Sequence, residues 1–355
     1  MALEEIPEYR PVNLDIEDLA GKAFGHYREK QKKMFLTFSA SQKARVLEDF
    51  RTHISYLQES LATRSGAIFF DYTCWSRAYN LQLHLPGDYL ASEFTALNEV
   101  LNRELPPDYR SESDAIIRKS IREMEQCPTV IPSYIVAENL LAAIARSYLQ
   151  ALLTPDREGA RKIIDTAIES GVAIRDIYQN VLQPVLRETG RLWQMGKVSV
   201  AKEHYVSASV QFLMARMHPH IIAAAGKNQK GKTLVAACVE NEFHEIGIRM
   251  VTDFFEMDGW DTYYIGANTP AQSLLDAVRE RNADVVAISS TMASDIPRVH
   301  YLIRSLRADP VTKKAKIIVG GYPFSIVPGL WKQVGADAWA GNAEDAVAAA
   351  NRLTA

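Results

Sequence analysis

Three short stretches of this chain carry residue types suited to chemistry. They are Glu242-Phe243-His244-Glu245-Ile246-Gly247, Ser289-Ser290-Thr291 and Gly320-Gly321. In the first, a carboxylate stands two residues before an imidazole. It can accept the proton on one ring nitrogen, which fixes the tautomer and raises the basicity of the other nitrogen. The glycines at 247, 320 and 321 carry no Cβ, so their backbones can approach another group closely. Ser289 and Thr291 offer hydroxyls. A fourth stretch lies upstream: Trp193, nine intervening residues, then Glu203-His204. Tryptophan gives a flat, rigid apolar surface with one polar handle. Each feature alone is ordinary, so their meaning depends on whether the fold gathers them.

The elements around them predict that it does. After about residue 229, short apolar runs at Thr233–Val239, 262–265, Val285–Ser289, 316–319 and 336–340 alternate with helical stretches. Alternating units of this length predict a doubly wound parallel sheet of Rossmann-like α/β type. The His244, Ser289 and Gly320-Gly321 motifs then fall at the carboxyl ends of the first, third and fourth strands, where such sheets bind ligands.

Upstream the pattern is helical. Residues 131–228 read as four helices with short connections, which predicts a small bundle. Thr154 is expected to cap its second helix, with Pro155 in the first position. Residues 1–130 read as a separate helical domain, with a linker near 127–132 and an aromatic-rich stretch at 69–79. The expected division is therefore 1–130, 131–228 and 229–355, all-α followed by α/β. A polar hinge is expected at 226–232.

Composition narrows the function. The 355 residues are 47% hydrophobic and 23% charged, with a net charge of −3 and no dense basic block, so no nucleic-acid footprint is expected. No run approaches the ~20 apolar residues that span a bilayer. The opening MALEEIPEYR is acidic and lacks an apolar signal core, so a cytoplasmic location is expected. Three cysteines at unrelated spacings argue for a reducing compartment and against a disulfide framework.

The carboxy-terminal motifs resemble the cobalamin-binding domains of methionine synthase, the mutases and the light-sensing CarH-type regulators, whose pattern is Asp-x-His-x-x-Gly, Ser-x-Leu or Ser-x-Thr, then Gly-Gly. The resemblance implies that His244 replaces the corrinoid's own benzimidazole as lower ligand to cobalt. Glu242 would orient it, Ser289 and Thr291 would meet the displaced base, and Gly247, Gly320 and Gly321 would make room for the tail. This chain departs from the pattern in having Glu, not Asp, at 242. Trp193 with Glu203-His204 resembles the CarH-type cap over the upper face of adenosylcobalamin, although Gln194 stands where those regulators have a second histidine.

An extra helical domain ahead of that unit resembles the photocobilins, which carry biliverdin as well. Tyr72, Cys74, Trp75, Arg77, Tyr79 and His84 are the candidate bilin contacts, with Cys74 able to bond a bilin covalently. The resemblance implies a light sensor: photolysis of an adenosyl group would change subunit association in a homo-oligomer and signal to a downstream partner, without enzymatic activity in the chain. The alternative expectation is a corrinoid methyl carrier that works with separate methyltransferases.

Overall fold

The computed structural model describes residues 8–226 and 229–355. The first seven residues, and residues 227 and 228 of the expected hinge, lie outside the described residues. Two compact units are present. One takes residues up to Val130 with 291–300 and 322–335; the other takes 131–290, 301–321 and 336–355.

In the second unit, Thr233–Val239 (β1), Asp261–Thr269 (β2), Val285–Ser289 (β3), Lys316–Gly320 (β4) and Ala338–Ala340 (β5) form one parallel sheet in the order β2-β1-β3-β4-β5. The α/β, Rossmann-like class is therefore as expected. β1, β3 and β4 read as near-continuous apolar runs because both faces of a parallel sheet are covered. Strand order reverses between β1 and β3, which opens a crevice at their carboxyl ends. Register sharpens this: Cys238 pairs with Ser289, and Ser289 with Gly320, so the ends of β1, β3 and β4 lie in one row.

Helices Ala142–Leu153, Arg157–Glu169, Gln183–Gln194 and Val200–Ala225 form the four-helix block, the third entered through a π-helical turn at Tyr178–Leu182. Asp156, not Thr154, caps the second helix by accepting from the Gly159 amide at 2.8 Å. A carboxylate also suits the positive end of the helix dipole. Thr154 closes the preceding helix, donating to the Gln150 carbonyl at 2.9 Å. Bundle and sheet share one interior. Tyr178, Val181, Leu182, Met214 and Met217 pack in the same core as Ile248, Phe254 and Phe255. Inside it the Tyr178 hydroxyl donates to Asp253 at 2.6 Å, and burial pushes the Asp253 carboxyl up to about 6.

The first unit is built on helices Ile16–Lys30, Ala40–Ala62, Ala67–Gln82, Tyr89–Glu104 and Pro107–Glu123. Its interior is aromatic, with Tyr27, Phe50, Phe69 and Phe94 buried. It also holds a polar pair. His53 meets the Tyr72 hydroxyl through Nδ1 at 2.8 Å and faces Glu93 through Nε2 at 3.3 Å. Burial pushes His53 down to about 4 and Glu93 up to about 8, so both are uncharged near pH 7, as suits a buried pair.

The expectation of unpaired cysteines fails in this unit. Cys74 and Cys127 form a disulfide with Cα atoms 5.0 Å apart, closing a sequence separation of 53. Tertiary packing brings them together, which no local spacing announces. Arg77 reinforces the junction by donating to the carbonyls of Met124 and Cys127. A loop of that length restricts the unfolded chain, so reduction or Cys127→Ser is expected to cost this unit roughly 2–4 kcal/mol. Urea unfolding with and without reductant measures it; coincident curves would remove the disulfide from the stability of the unit.

Candidate functional site

β1 ends at Val239, and a short loop carries the chain into helix Ile246–Met257. Asn241 turns the loop with φ of 67°, and its amide donates to Asn268 Oδ1 at 2.8 Å. The Asn268 amide in turn donates to the Glu242 carbonyl at 2.8 Å, so the end of β2 props this loop. The Glu242 side chain then folds inward. Its Oε1 accepts both the backbone N–H of His244 at 2.8 Å and the Nδ1–H of the same residue at 2.6 Å. The extra methylene relative to aspartate is thus absorbed, and the carboxylate–imidazole bond is made.

Exposure separates the partners: the Glu242 side chain is 1% exposed and the His244 ring 64%. With its proton on Nδ1, the ring carries its lone pair on Nε2, the atom through which a neutral imidazole binds a metal. The neighbouring thiol does not compete. Burial, then the Glu242 and Glu245 carboxylates, push Cys238 up to about 12, and the Ser289 hydroxyl bonds to it. Among the described residues, no group of three His, Cys, Asp or Glu side chains could hold a metal ion. A single exposed imidazole donor is compatible with a metal that arrives already held by a macrocycle, as cobalt is in a corrinoid.

The glycines divide into two kinds. A Cβ on Gly247 would meet nothing within 4 Å, so the start of its helix faces open space. At Gly321, with φ of +106°, a Cβ would lie 1.8 Å from the Ser290 carbonyl oxygen. Gly321 is therefore required by the protein's own backbone, and not only by a ligand tail as expected. Gly320 lies at the end of β4, and its carbonyl accepts from the Ser290 amide at 3.1 Å. Thr291 follows Ser290 in the chain and belongs to the other unit.

Trp193 and the Glu203-His204 pair occupy adjoining ends of consecutive bundle helices, joined by a turn at Gly196 with φ of 64°. Trp193 is 39% exposed, while Gln194 beside it is buried. Ser199 caps the second of these helices. The Ser207 hydroxyl donates to Glu203 at 2.8 Å, and the His204 ring lies open to solvent 3.5 Å from the same carboxylate. The Trp193 helix is fixed from behind by the partly buried Arg191–Glu188 pair. Arg191 donates to the Ile131 carbonyl, and Glu188 accepts from the Tyr134 amide.

The six residues expected to meet a bilin fare differently. Tyr72, Trp75 and Tyr79 stack along helix Ala67–Gln82, with ring centroids 6.5 and 5.3 Å apart, and Arg45 lies over Tyr79. His84 turns the chain beyond that helix with φ of 56°. Two corrections follow. Cys74 is closed in the disulfide, so its sulfur is not available for covalent attachment. Arg77 is committed to the Met124 and Cys127 carbonyls and to Glu125, not held ready for a propionate.

The B12 binding domain family matches residues 232–351, and a second B12 binding domain family matches 144–217. A dimethylamine corrinoid protein of Methanosarcina mazei is 30% identical over 129 residues, which is 36% of this chain and 75% of that protein. The chain belongs to the B12-binding corrinoid proteins. A corrinoid protein of Desulfitobacterium hafniense is 26% identical over 208 residues, covering 58% of this chain and 94% of that protein. The solved monomethylamine corrinoid protein of Methanosarcina barkeri shares the fold, with a TM-score of 0.52 at 20% identity over 60% of this chain and 99% of that one.

These relatives overturn the expectation of light sensing. All are named as corrinoid proteins, two of them for dimethylamine or monomethylamine, and none as a photoreceptor. The physical reason for the error lies in the cap. Trp193, Glu203 and His204 fall inside the stretch that the second B12-binding family matches, so an aromatic and a Glu-His pair there do not by themselves distinguish a photoreceptor. Among the described residues, no helix is long and apolar enough to cross a membrane.

One residue of the site escapes the sequence reading. Glu245 follows His244, and its carboxylate is bonded on two sides, by Gln211 of the bundle and by β2. A carboxylate within the motif is the available signal, but its partners are 19 to 34 residues away.

Proposed function

We propose that the chain is a corrinoid methyl carrier that works with separate methyltransferases and performs no bond chemistry with its own side chains. The observation that carries this reading is the outward-facing His244 ring, held through Nδ1 by the buried Glu242 at the end of β1. The names of the methylamine corrinoid relatives supply the direction. When bound, the corrinoid supplies a cobalt that accepts and gives up a methyl group.

The chain's residues do the rest. His244 would ligate from below through Nε2 while Glu242 keeps the proton on Nδ1. Ser289 and the open space before Gly247 would receive the displaced base and its tail. The bundle, with Trp193 and His204 exposed at one end, would shield the opposite face until a partner enzyme arrives. Methylamines are the class of methyl source that the relatives' names suggest.

The test uses the protein loaded with methylcobalamin and mixed with a cobalamin-dependent thiol methyltransferase. The methyl group is expected to appear as a thioether, with a rate that saturates in carrier concentration. Loaded protein that yields no thioether, where free methylcobalamin does, would overturn the reading.

A further inference from the structure

The loop that bears His244 is fastened at two places. Glu242 holds the ring; Glu245 holds the loop. The Glu245 Oε1 accepts from Gln211 Nε2 at 3.0 Å, and Gln211 belongs to the bundle helix Val200–Ala225. Its Oε2 accepts from the Tyr264 hydroxyl at 2.9 Å and from the Ala267 amide at 3.1 Å, both on β2. Room for this is made by Gly266, at φ +101°, where a Cβ would stand 3.0 Å from that oxygen. One carboxylate therefore joins the bundle, the sheet and the residue adjoining the metal-ligand candidate.

We infer that Glu245 is a positioning residue that makes firm ligation by His244 depend on docking of the bundle helix. The inference rests on the cobalamin reading above and adds a coupling to it. A partner that shifts the helix Val200–Ala225 by the ångström or so that a hydrogen bond tolerates, without parting the shared core, breaks the Gln211–Glu245 bond. It thereby loosens the loop on the lower face, so access above and ligand strength below change together. Hydrogen bonds to charged groups are among the stronger ones, and this one connects two residues that are 34 positions apart.

The substitutions follow from donor and acceptor logic. Gln211→Glu sets two carboxylates face to face and breaks the link. Glu245→Gln alone is tolerated, because the Gln211 amide can turn and present its oxygen. Combining Gln211→Glu with Glu245→Gln exchanges the two groups. The amide now at position 245 donates to the carboxylate now at position 211, while its own oxygen still accepts from Tyr264 and Ala267. All three bonds return.

The probe is hydroxocobalamin bound to the full chain carrying nitrogen-15-labelled histidine and reduced to the cobalt(II) state, read by the two-line nitrogen-15 splitting in its electron paramagnetic resonance spectrum, which the corrinoid's own nitrogen-14 base cannot give. Wild type is expected to show the splitting. Gln211→Glu should shift the ligated-to-unligated ratio by about tenfold toward unligated. The double variant should restore the wild-type ratio, a rescue that a merely structural role would not produce in the cobalt spectrum. An unchanged ratio in folded Gln211→Glu overturns the coupling and leaves His244 ligation standing. A wild-type spectrum without the nitrogen-15 splitting overturns both.

Discussion

Gly321→Ala is expected to destabilise the second unit by about 2–5 kcal/mol and to abolish cobalamin binding. The new methyl would sit 1.8 Å from the Ser290 oxygen, 2.6 Å from its carbonyl carbon and 3.1 Å from its nitrogen, all backbone atoms that cannot rotate away. Alanine at φ +106° adds strain of its own. The shift would separate β4 from β3 where the Ser290 amide bonds to the Gly320 carbonyl. Denaturant unfolding of the corrinoid-free protein measures the stability loss. Gly247→Ala is the informative contrast. Its methyl meets nothing within 4 Å and lies in a helix, where alanine gains about 0.5–1 kcal/mol over glycine. That variant should fold at least as well as wild type yet bind cobalamin more weakly, because only the ligand's tail is obstructed. Equal affinity in Gly247→Ala would place the tail elsewhere.

His244→Ala should remove the lower nitrogen ligand outright, leaving a water-ligated or base-on absorption spectrum and a weaker complex. The consequences for Glu242 are graded. Outer-shell partners of a ligating histidine typically contribute about 10–100-fold in metal affinity. Glu242→Ala should lose that much or more, since it also strips the acceptor from the His244 backbone N–H. Glu242→Gln keeps an oxygen for both donors and gives up only the charge, so a smaller loss is expected. Titration with hydroxocobalamin, followed by absorbance, orders the three variants. An unaltered spectrum and affinity in His244→Ala would end the ligand assignment.

Much of the sheet is legible in the apolar runs alone. β1 and β3 have the bounds those runs suggest, because strands buried on both faces need them. The run at 262–265 suggests four residues for β2, which has nine. Its extension through Gly266, Ala267 and Asn268 is irregular in register and exists to prop the Glu242 loop and receive Glu245, so it carries no apolar pattern. The Glu242–His244 pair is legible because its partners are two residues apart. The Cys74–Cys127 bridge and the Gln211–Glu245 bond are not, since they depend on how distant helices pack. The cap misleads for another reason. Trp193, Glu203 and His204 lie in a stretch that a B12-binding family matches, so they mark that family and not the photoreceptors whose cap they resemble.

The single interior shared by bundle and sheet also bears on whether either segment can stand alone. Separate B12-binding families match the two stretches 144–217 and 232–351. Physically they are halves of one oil drop: Tyr178 and Met214 on one side, Phe254 and Phe255 on the other. Cutting the chain in the stretch between them would expose both halves to water at once and strand Asp253 without its phenol. Each segment expressed without the other would therefore be expected to aggregate, and light scattering of the separated halves, 131–228 and 229–355, measures it.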